Sequence, residues 1–205
     1  KLDLLRQHGF KGLVEREKTG YYPKGGGKAV FEIDNYSLKT IDLTERGEIK
    51  KFEIFSRASR ELEDREVADR QADELRRKLK NSHISVPVEK NVEYEKTASP
   101  GSSLVLKAVY ENSIAGFDAL GERGKRSEEV AKEVVEDFRS FHSTEAAVDK
   151  HMADQLMVFM ALTGGKIAIP ELTDHVKTNS GVIEKFGAEI DMFRDKGFST
   201  VMFGG

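Results

Sequence analysis

Cysteine is absent from this 205-residue chain, so neither a disulfide nor a thiolate metal site can form, and a reducing, cytoplasmic setting is expected. No apolar run approaches the ~20 residues of a membrane-spanning helix, and no segment reads as a secretory signal, so no membrane association is expected. An excess of one charge sign is missing too. Charged residues make up 34% of the chain, yet the formal net charge is only -3, which argues against a protein that coats duplex nucleic acid. An enzyme that grips one strand end needs only a local basic pocket. At this length ~70% of the unfolded surface can be buried in one large domain or two small ones.

What is present reads as mixed α/β. Leu2, Leu4 and Leu5 form the tail of an amphipathic helix closed by Gly9. Phe10 to Glu17, Lys28 to Ile33 and Tyr36 to Leu43 are predicted strands, and the loop from Gly20 to Gly27 either turns tightly or lets a ligand approach the backbone. From about Glu48 to Phe141 the pattern predicts a self-contained β-α-β-β-β-α series. Its helices are expected to start at Ser59, with the stripe Ala68, Ala72, Leu75 and Leu79, and at Ser127, with Val130, Val134, Phe138 and Phe141. The pairs Glu61/Arg65, Glu66/Arg70, Asp73/Arg77 and Glu74/Lys78 mark a solvated face. Arg123, Lys125 and Arg126, just ahead of the second helix, are either solvent-exposed or a phosphate or RNA contact. Ala188 to Phe193 and Phe198 to Phe203 read as closing strands, Gly204-Gly205 as a loose end. No internal repeat is evident.

The chemistry concentrates between Thr144 and Asn179. An apolar block from Leu156 to Leu162 is hydrophobic all round a helix and is expected to be buried. Ahead of it His151, Asp154 and Gln155 fall on one side of the first turns. If buried they need partners, since an unpaired polar group costs ~1–3 kcal/mol, and a bound polar ligand is one such partner. His175 follows a short strand, Ile167 to Ile169, and precedes Thr178/Asn179, which read as the N-cap of a helix running through Val182, Ile183 and Phe186. A helix start favours phosphate, and neutral imidazole is a competent nucleophile towards phosphorus. A lone loop histidine is also commonly structural. His8, His83 and His142 stand beside no other candidate group and are read as structural or surface residues.

These segments resemble the RNA 3'-terminal phosphate cyclases. Gly20-Tyr-Tyr-Pro23-Lys-Gly25-Gly26-Gly27 is similar to that family's Gly-x-x-Pro-x-Gly-Gly-Gly signature, although Thr19 stands where the family usually carries a basic residue. Gly121-Glu-Arg-Gly124 with Ser127-Glu128, and the blocks His151 to Gln155 and His175 to Asn179, agree in the same order. The resemblance is to the carboxy-terminal portion of an archaeal-like member, so an amino-terminal portion carrying the metal ligand is expected ahead of Lys1. It implies a larger domain of repeated βαβαββ units, in residues 1–47 and 144–205, with an inserted small thioredoxin-like α/β domain in residues 48–143.

The resemblance further implies a ligase that uses ATP, with Mg2+ or Mn2+, to convert an RNA 3'-phosphate into a 2',3'-cyclic phosphodiester. His175 would be the catalytic nucleophile, forming a histidine-AMP intermediate. His151, Met152, Ala153, Asp154 and Gln155 would bind the nucleotide, with His151 as a stacking surface. Two rival functions are a non-catalytic relative acting in ribosomal RNA processing, against which His175 speaks, and an enolpyruvyl-transferase-like enzyme, which leaves the His175–Asn179 block unexplained.

Overall fold

The computed structural model describes residues 2–34, 37–82, 84–195 and 197–204. Along the chain run α1 (Leu2–Gln7), β1 (Gly12–Lys18), β2 (Lys28–Ile33), β3 (Ile41–Leu43), β4 (Ile49–Ser59), α2 (Val67–Lys80), β5 (Val88–Glu95), β6 (Ser102–Tyr110), β7 (Ile114–Gly121), α3 (Ser127–His142), α4 (Lys150–Thr163), β8 (Gly165–Ile169), α5 (Asp174–Glu184), β9 (Ile190–Arg194) and β10 (Ser199–Phe203). The expected mixed α/β class is what forms.

In the middle of the chain β4 to β7 make one sheet in the order β5-β4-β6-β7, with β4–β5 parallel and the other two pairs antiparallel. This is the β-α-β-β-β-α series, and its strand order suits a thioredoxin-like topology. Burial along β6 alternates residue by residue, the period-2 signature of a sheet covered on one face. On that face Phe52, Ile54, Leu104, Leu106 and Phe117 meet the α2 stripe of Ala72, Leu75 and Leu79 and the α3 stripe of Val130, Val134, Phe138 and Phe141. Phe138 meets Phe52 and Phe117 edge-on, with ring centroids 5.1 and 5.7 Å apart. The opposite face is polar and is met by the first elements of the chain: Lys107 pairs with Asp3 of α1 at 2.7 Å, and Arg16 of β1 pairs with Glu93 at 2.7 Å and with Glu95.

Of the rest of the chain, β1 and β2 pair antiparallel as a two-stranded sheet of their own, and β3, β8, β10 and β9 form the second four-stranded sheet, in that order. β3 and β8 are parallel, and β10 runs antiparallel to both β8 and β9. In chain order this is β3-α4-β8-α5-β9-β10, one βαβαββ unit interrupted after β3 by residues 44–149. Because α4 and α5 each connect parallel strands, both run back against the strand direction. Their amino-terminal ends therefore lie at the carboxyl edge of β3 and β8, the edge at which the interrupting segment leaves and returns. Gly165 makes the parallel pairing close: a Cβ there would stand 2.1 Å from the Ile41 carbonyl oxygen, and its φ of +126° suits only glycine. A repeat does emerge in the order of elements. α1, Gly9, β1 and β2 follow one another as α5, Gly187, β9 and β10 do, with φ of +88° and +92° at the two glycines.

Several expected boundaries move. Ser59 caps no long helix: β4 runs through it, and its hydroxyl accepts from the Gly101 amide at 2.8 Å, while α2 starts only at Val67. Ser127 is the first helical residue of α3 and is buried, donating to the Val67 carbonyl, and Arg126 takes the N-cap position. Of the four expected pairs, the first of which lies ahead of α2, only Glu74/Lys78 forms among the described residues, at 3.3 Å, while Asp73 turns to Lys90 and Arg70 to Glu128. The third strand shortens to Ile41–Leu43, Tyr36 lying outside the described residues, as do His83 and Gly205. His8 bonds the Leu4 carbonyl at 3.0 Å.

Candidate active site

Chain order carries His151 and His175 to one edge of the second sheet. Asp149 caps α4, its Oδ1 accepting from the amides of His151 at 3.0 Å and Met152 at 2.8 Å, which fixes His151 as the second residue of the helix. Thr173 caps α5, its hydroxyl accepting from the Val176 amide at 3.2 Å. His175 is the second residue of that helix and is exposed. The N-cap expected at Thr178/Asn179 is therefore displaced five residues towards the amino terminus of the chain: both residues lie inside α5, and Phe186 lies beyond its end, 88% exposed. Thr173 wins because the chain leaves β8 through Pro170 and can turn into a helix at once.

The two helix starts differ in what they offer a ligand. In α4 the second and third amides are already held by a carboxylate, which repels phosphate. In α5 the cap is a neutral hydroxyl, and the amides of Asp174 and His175 are among the donors a helix start leaves without an intrahelical partner. Asp174 adds a carboxylate to that turn, exposed and paired with Lys177 at 3.3 Å, so beside His175 it is the backbone amides that can receive an anion.

His151 lines a cleft of about 110 Å3 between the two halves of the fold, together with Asp118, Asp137, Asp149, Pro170 and Glu171. That is well below the roughly 300–1,000 Å3 of a site that encloses a ligand, and its carboxylates disfavour a polyphosphate. It suits an uncharged edge of a larger molecule. Asp154, one turn on, is half-buried and its Oδ1 is a buried oxygen with no hydrogen-bond partner, the one such side-chain atom among the described residues. This orphaned acceptor fits the hydroxyls or amino group of a nucleoside. Met152 and Ala153 point into the core, whereas His151 and Gln155 are exposed. The expectation of a wholly buried helix with a buried polar trio is thus corrected: α4 buries one side only, leaving Val158 and Leu162 at 57% and 77% exposure, and of the trio only Asp154 withdraws an oxygen from water.

Asp149 anchors this edge without being singled out by the spacing of the histidines, although an Asp directly ahead of an apolar helix is an ordinary capping signal. Its Oδ2 also accepts from the Gly116 amide of β7 at 3.3 Å, and Ser113 donates to the Ala147 carbonyl. Arg46 closes the other side of the junction. Its guanidinium donates to the carbonyls of Phe141 (3.3 Å), His142 (2.8 Å) and Ala146 (3.1 Å), and lies 5.3 Å from the ring centres of both Tyr110 and Phe141. Beside it the Tyr110 hydroxyl and His142 Nδ1 share a hydrogen bond of 2.9 Å. Burial raises the Tyr110 pKa to about 12. Burial, aided by the Arg46 charge, holds His142 below its ordinary 6.5. The junction at the edge carrying both histidines is therefore fastened from two sides.

Arg123, Lys125 and Arg126 stand elsewhere. They precede α3, whereas the His151 cleft is bordered by Asp137, Ser140 and Phe141 near the far end of that helix, about 20 Å of helix away. A single nucleotide phosphate cannot touch both. Among the described residues no group of three His, Cys, Asp or Glu is arranged to hold a metal ion, so the residues here do not fit a cage for Mg2+ or Mn2+. No described helix is long and apolar enough to cross a membrane.

Residues 44–143 match the family described as RNA 3'-terminal phosphate cyclase (RTC), insert domain. A protein of Halobacterium salinarum named RNA 3'-terminal phosphate cyclase is 37% identical over 192 residues, 94% of this chain and 54% of the relative. Proteins of the same name from Saccharolobus solfataricus and Saccharolobus islandicus are 37% and 36% identical over 185 residues, 90% of this chain and 54% of each relative. The chain spans about half the length of the curated relatives it matches. With a match to that insert domain in its middle and similarity over nearly all of its length, the chain is similar to the archaeal RNA 3'-terminal phosphate cyclases.

Proposed function

We propose that this chain supplies the nucleophile and part of the nucleotide site of an ATP-dependent enzyme that converts an RNA 3'-phosphate into a 2',3'-cyclic phosphodiester. The observation that carries the reading is the exposed imidazole of His175 in the first turn of α5, at the edge where α4 also begins. A phosphate monoester oxygen is a poor leaving group, so its phosphorus must first be joined to AMP. His175 attacks the α-phosphorus of ATP, forming a P–N bond as pyrophosphate leaves. An oxygen of the RNA 3'-phosphate then takes the AMP from His175. Finally the neighbouring 2'-hydroxyl closes on the activated phosphorus, loses its proton and expels AMP. That step is intramolecular, so proximity supplies much of its rate.

The free amides at the start of α5 face the developing phosphate charge. On the α4 side Asp154 and Gln155 accept and donate to the nucleoside, and His151 offers a ring to stack on. Met152 and Ala153 set the helix against the core. Mg2+ or Mn2+ would neutralise polyphosphate charge during attack. The test is to incubate full-length protein with ATP and an RNA ending in a 3'-phosphate. The reading expects the end to become resistant to phosphatase, and the conversion to fall by several orders of magnitude in His175→Ala. A wild-type product that stays phosphatase-sensitive overturns it.

A further inference from the structure

A second cavity, of about 700 Å3, lies between the Tyr22–Pro23 turn and the amino-terminal ends of α2 and α3. Its lining is basic in a chain whose net charge is negative: Arg65, Arg70, Arg123, Lys125 and Arg126 face it, against one carboxylate, Glu122. Arg70, Lys125 and Arg126 lean on Glu128, Glu133 and Glu129 at 2.9, 2.6 and 3.4 Å. Such surface pairs are weak and exchange readily for phosphate. Arg65 and Arg123 are exposed and have no carboxylate within ion-pair distance among the described residues.

The rim carries an aromatic side chain with no packing role. Tyr22 is 92% exposed, while its neighbour Tyr21 is packed on Gly101, where a Cβ would stand 2.3 Å from the ring. The glycine loop is thereby clasped to the middle sheet and holds Tyr22 out over the groove. The floor is neutral and already satisfied: Gln71, 1% exposed, accepts from Ser56 and donates to Ser102 at 2.9 Å. With no cysteine, the groove has no thiol chemistry to perform.

We propose that this groove holds single-stranded RNA on the 5' side of the reacting end, resting on the reading that RNA is the substrate. Cations that track a backbone beside an exposed ring on which a base can stack are what a single strand requires. A duplex keeps its bases stacked on one another and offers Tyr22 no face. An acidic peptide would use the arginines but leave Tyr22 idle.

The probe is a fluorescein-labelled 12-nucleotide RNA with a 3'-phosphate, long enough at about 3.4 Å per nucleotide to cover the ~20 Å length of α3. Binding to full-length protein is followed by anisotropy across a salt series, with circular dichroism confirming that each variant is folded. Tyr22→Ala is expected to weaken binding roughly 10-fold. Arg65→Gln and Arg123→Gln are each expected to reduce the slope of log affinity against log salt by about 0.7. Folded variants that bind like wild type overturn the proposal, as does equal binding of a blunt duplex or displacement by polyglutamate that Tyr22→Ala leaves unchanged. Cyclisation that persists while the variants bind normally removes the groove and keeps the enzyme. Groove-dependent binding without cyclisation does the reverse.

Discussion

His151 and His175 occupy the same station, each the second residue of a helix that begins at the carboxyl edge of the parallel strands β3 and β8. The caps give them different surroundings. A carboxylate closes the first turn of α4, and a hydroxyl closes that of α5. Ligands of open α/β sheets gather at this edge of the strands. The proposed division of labour, phosphorus chemistry beside His175 and nucleoside contact beside His151 and Asp154, rests on this difference between the two caps.

Asp149 holds both the start of α4 and strand β7 at Gly116, and is 5% exposed. Asp149→Ala should lower unfolding stability by about 1–2 kcal/mol, the upper range for a lost N-cap, and should also weaken nucleotide binding by loosening the first turn. Urea unfolding reads the first effect. An unchanged midpoint would show that the cap is dispensable.

Gly165 admits no side chain. Gly165→Ala should lower stability by more than about 2 kcal/mol, since a positive φ and a backbone clash with Ile41 add together. A thermal melt of the variant checks it, and a Tm equal to wild type would contradict the close β3–β8 approach.

His142 predicts a pH dependence. Tyr110, Arg46 and the stacked Phe138 ring, 5.2 Å away, face its imidazole, and burial lowers its pKa in the fold. As pH falls, the unfolded chain takes up a proton near 6.5 before the folded chain does. Stability from this group is therefore full above 6.5 and is lost as the pH drops from there to the lower folded value. Between pH 7.5 and 5.5 wild type should lose stability that His142→Asn does not. Denaturant titrations at the two pH values decide, and parallel slopes in both proteins would contradict it.

Period and composition made the middle sheet legible: Val130, Val134, Phe138 and Phe141 mark the buried side of α3, and β6 alternates as its residues suggest. Helix starts were less so, because a capping residue type says nothing about competing partners. Ser59 is taken by the Gly101 amide across the sheet, and Thr178 is forestalled by Thr173, five residues earlier and chemically the same. The apolar run of α4 hid its exposed side, since hydrophobicity all round a helix does not tell which neighbour covers it. Both candidate histidines stand out in the sequence, whereas their shared edge follows only from the parallel pairing of β3 and β8. The groove beneath Tyr22 joins segments some 100 residues apart, and no local spacing announces it.

The central claim is a bond between His175 and phosphorus. Full-length protein incubated with ATP labelled at the α-phosphate should acquire a label that is labile to acid and stable to alkali, as a phosphoramidate is, and His175→Ala should acquire none. Label of the same stability on the His175→Ala protein would contradict the account.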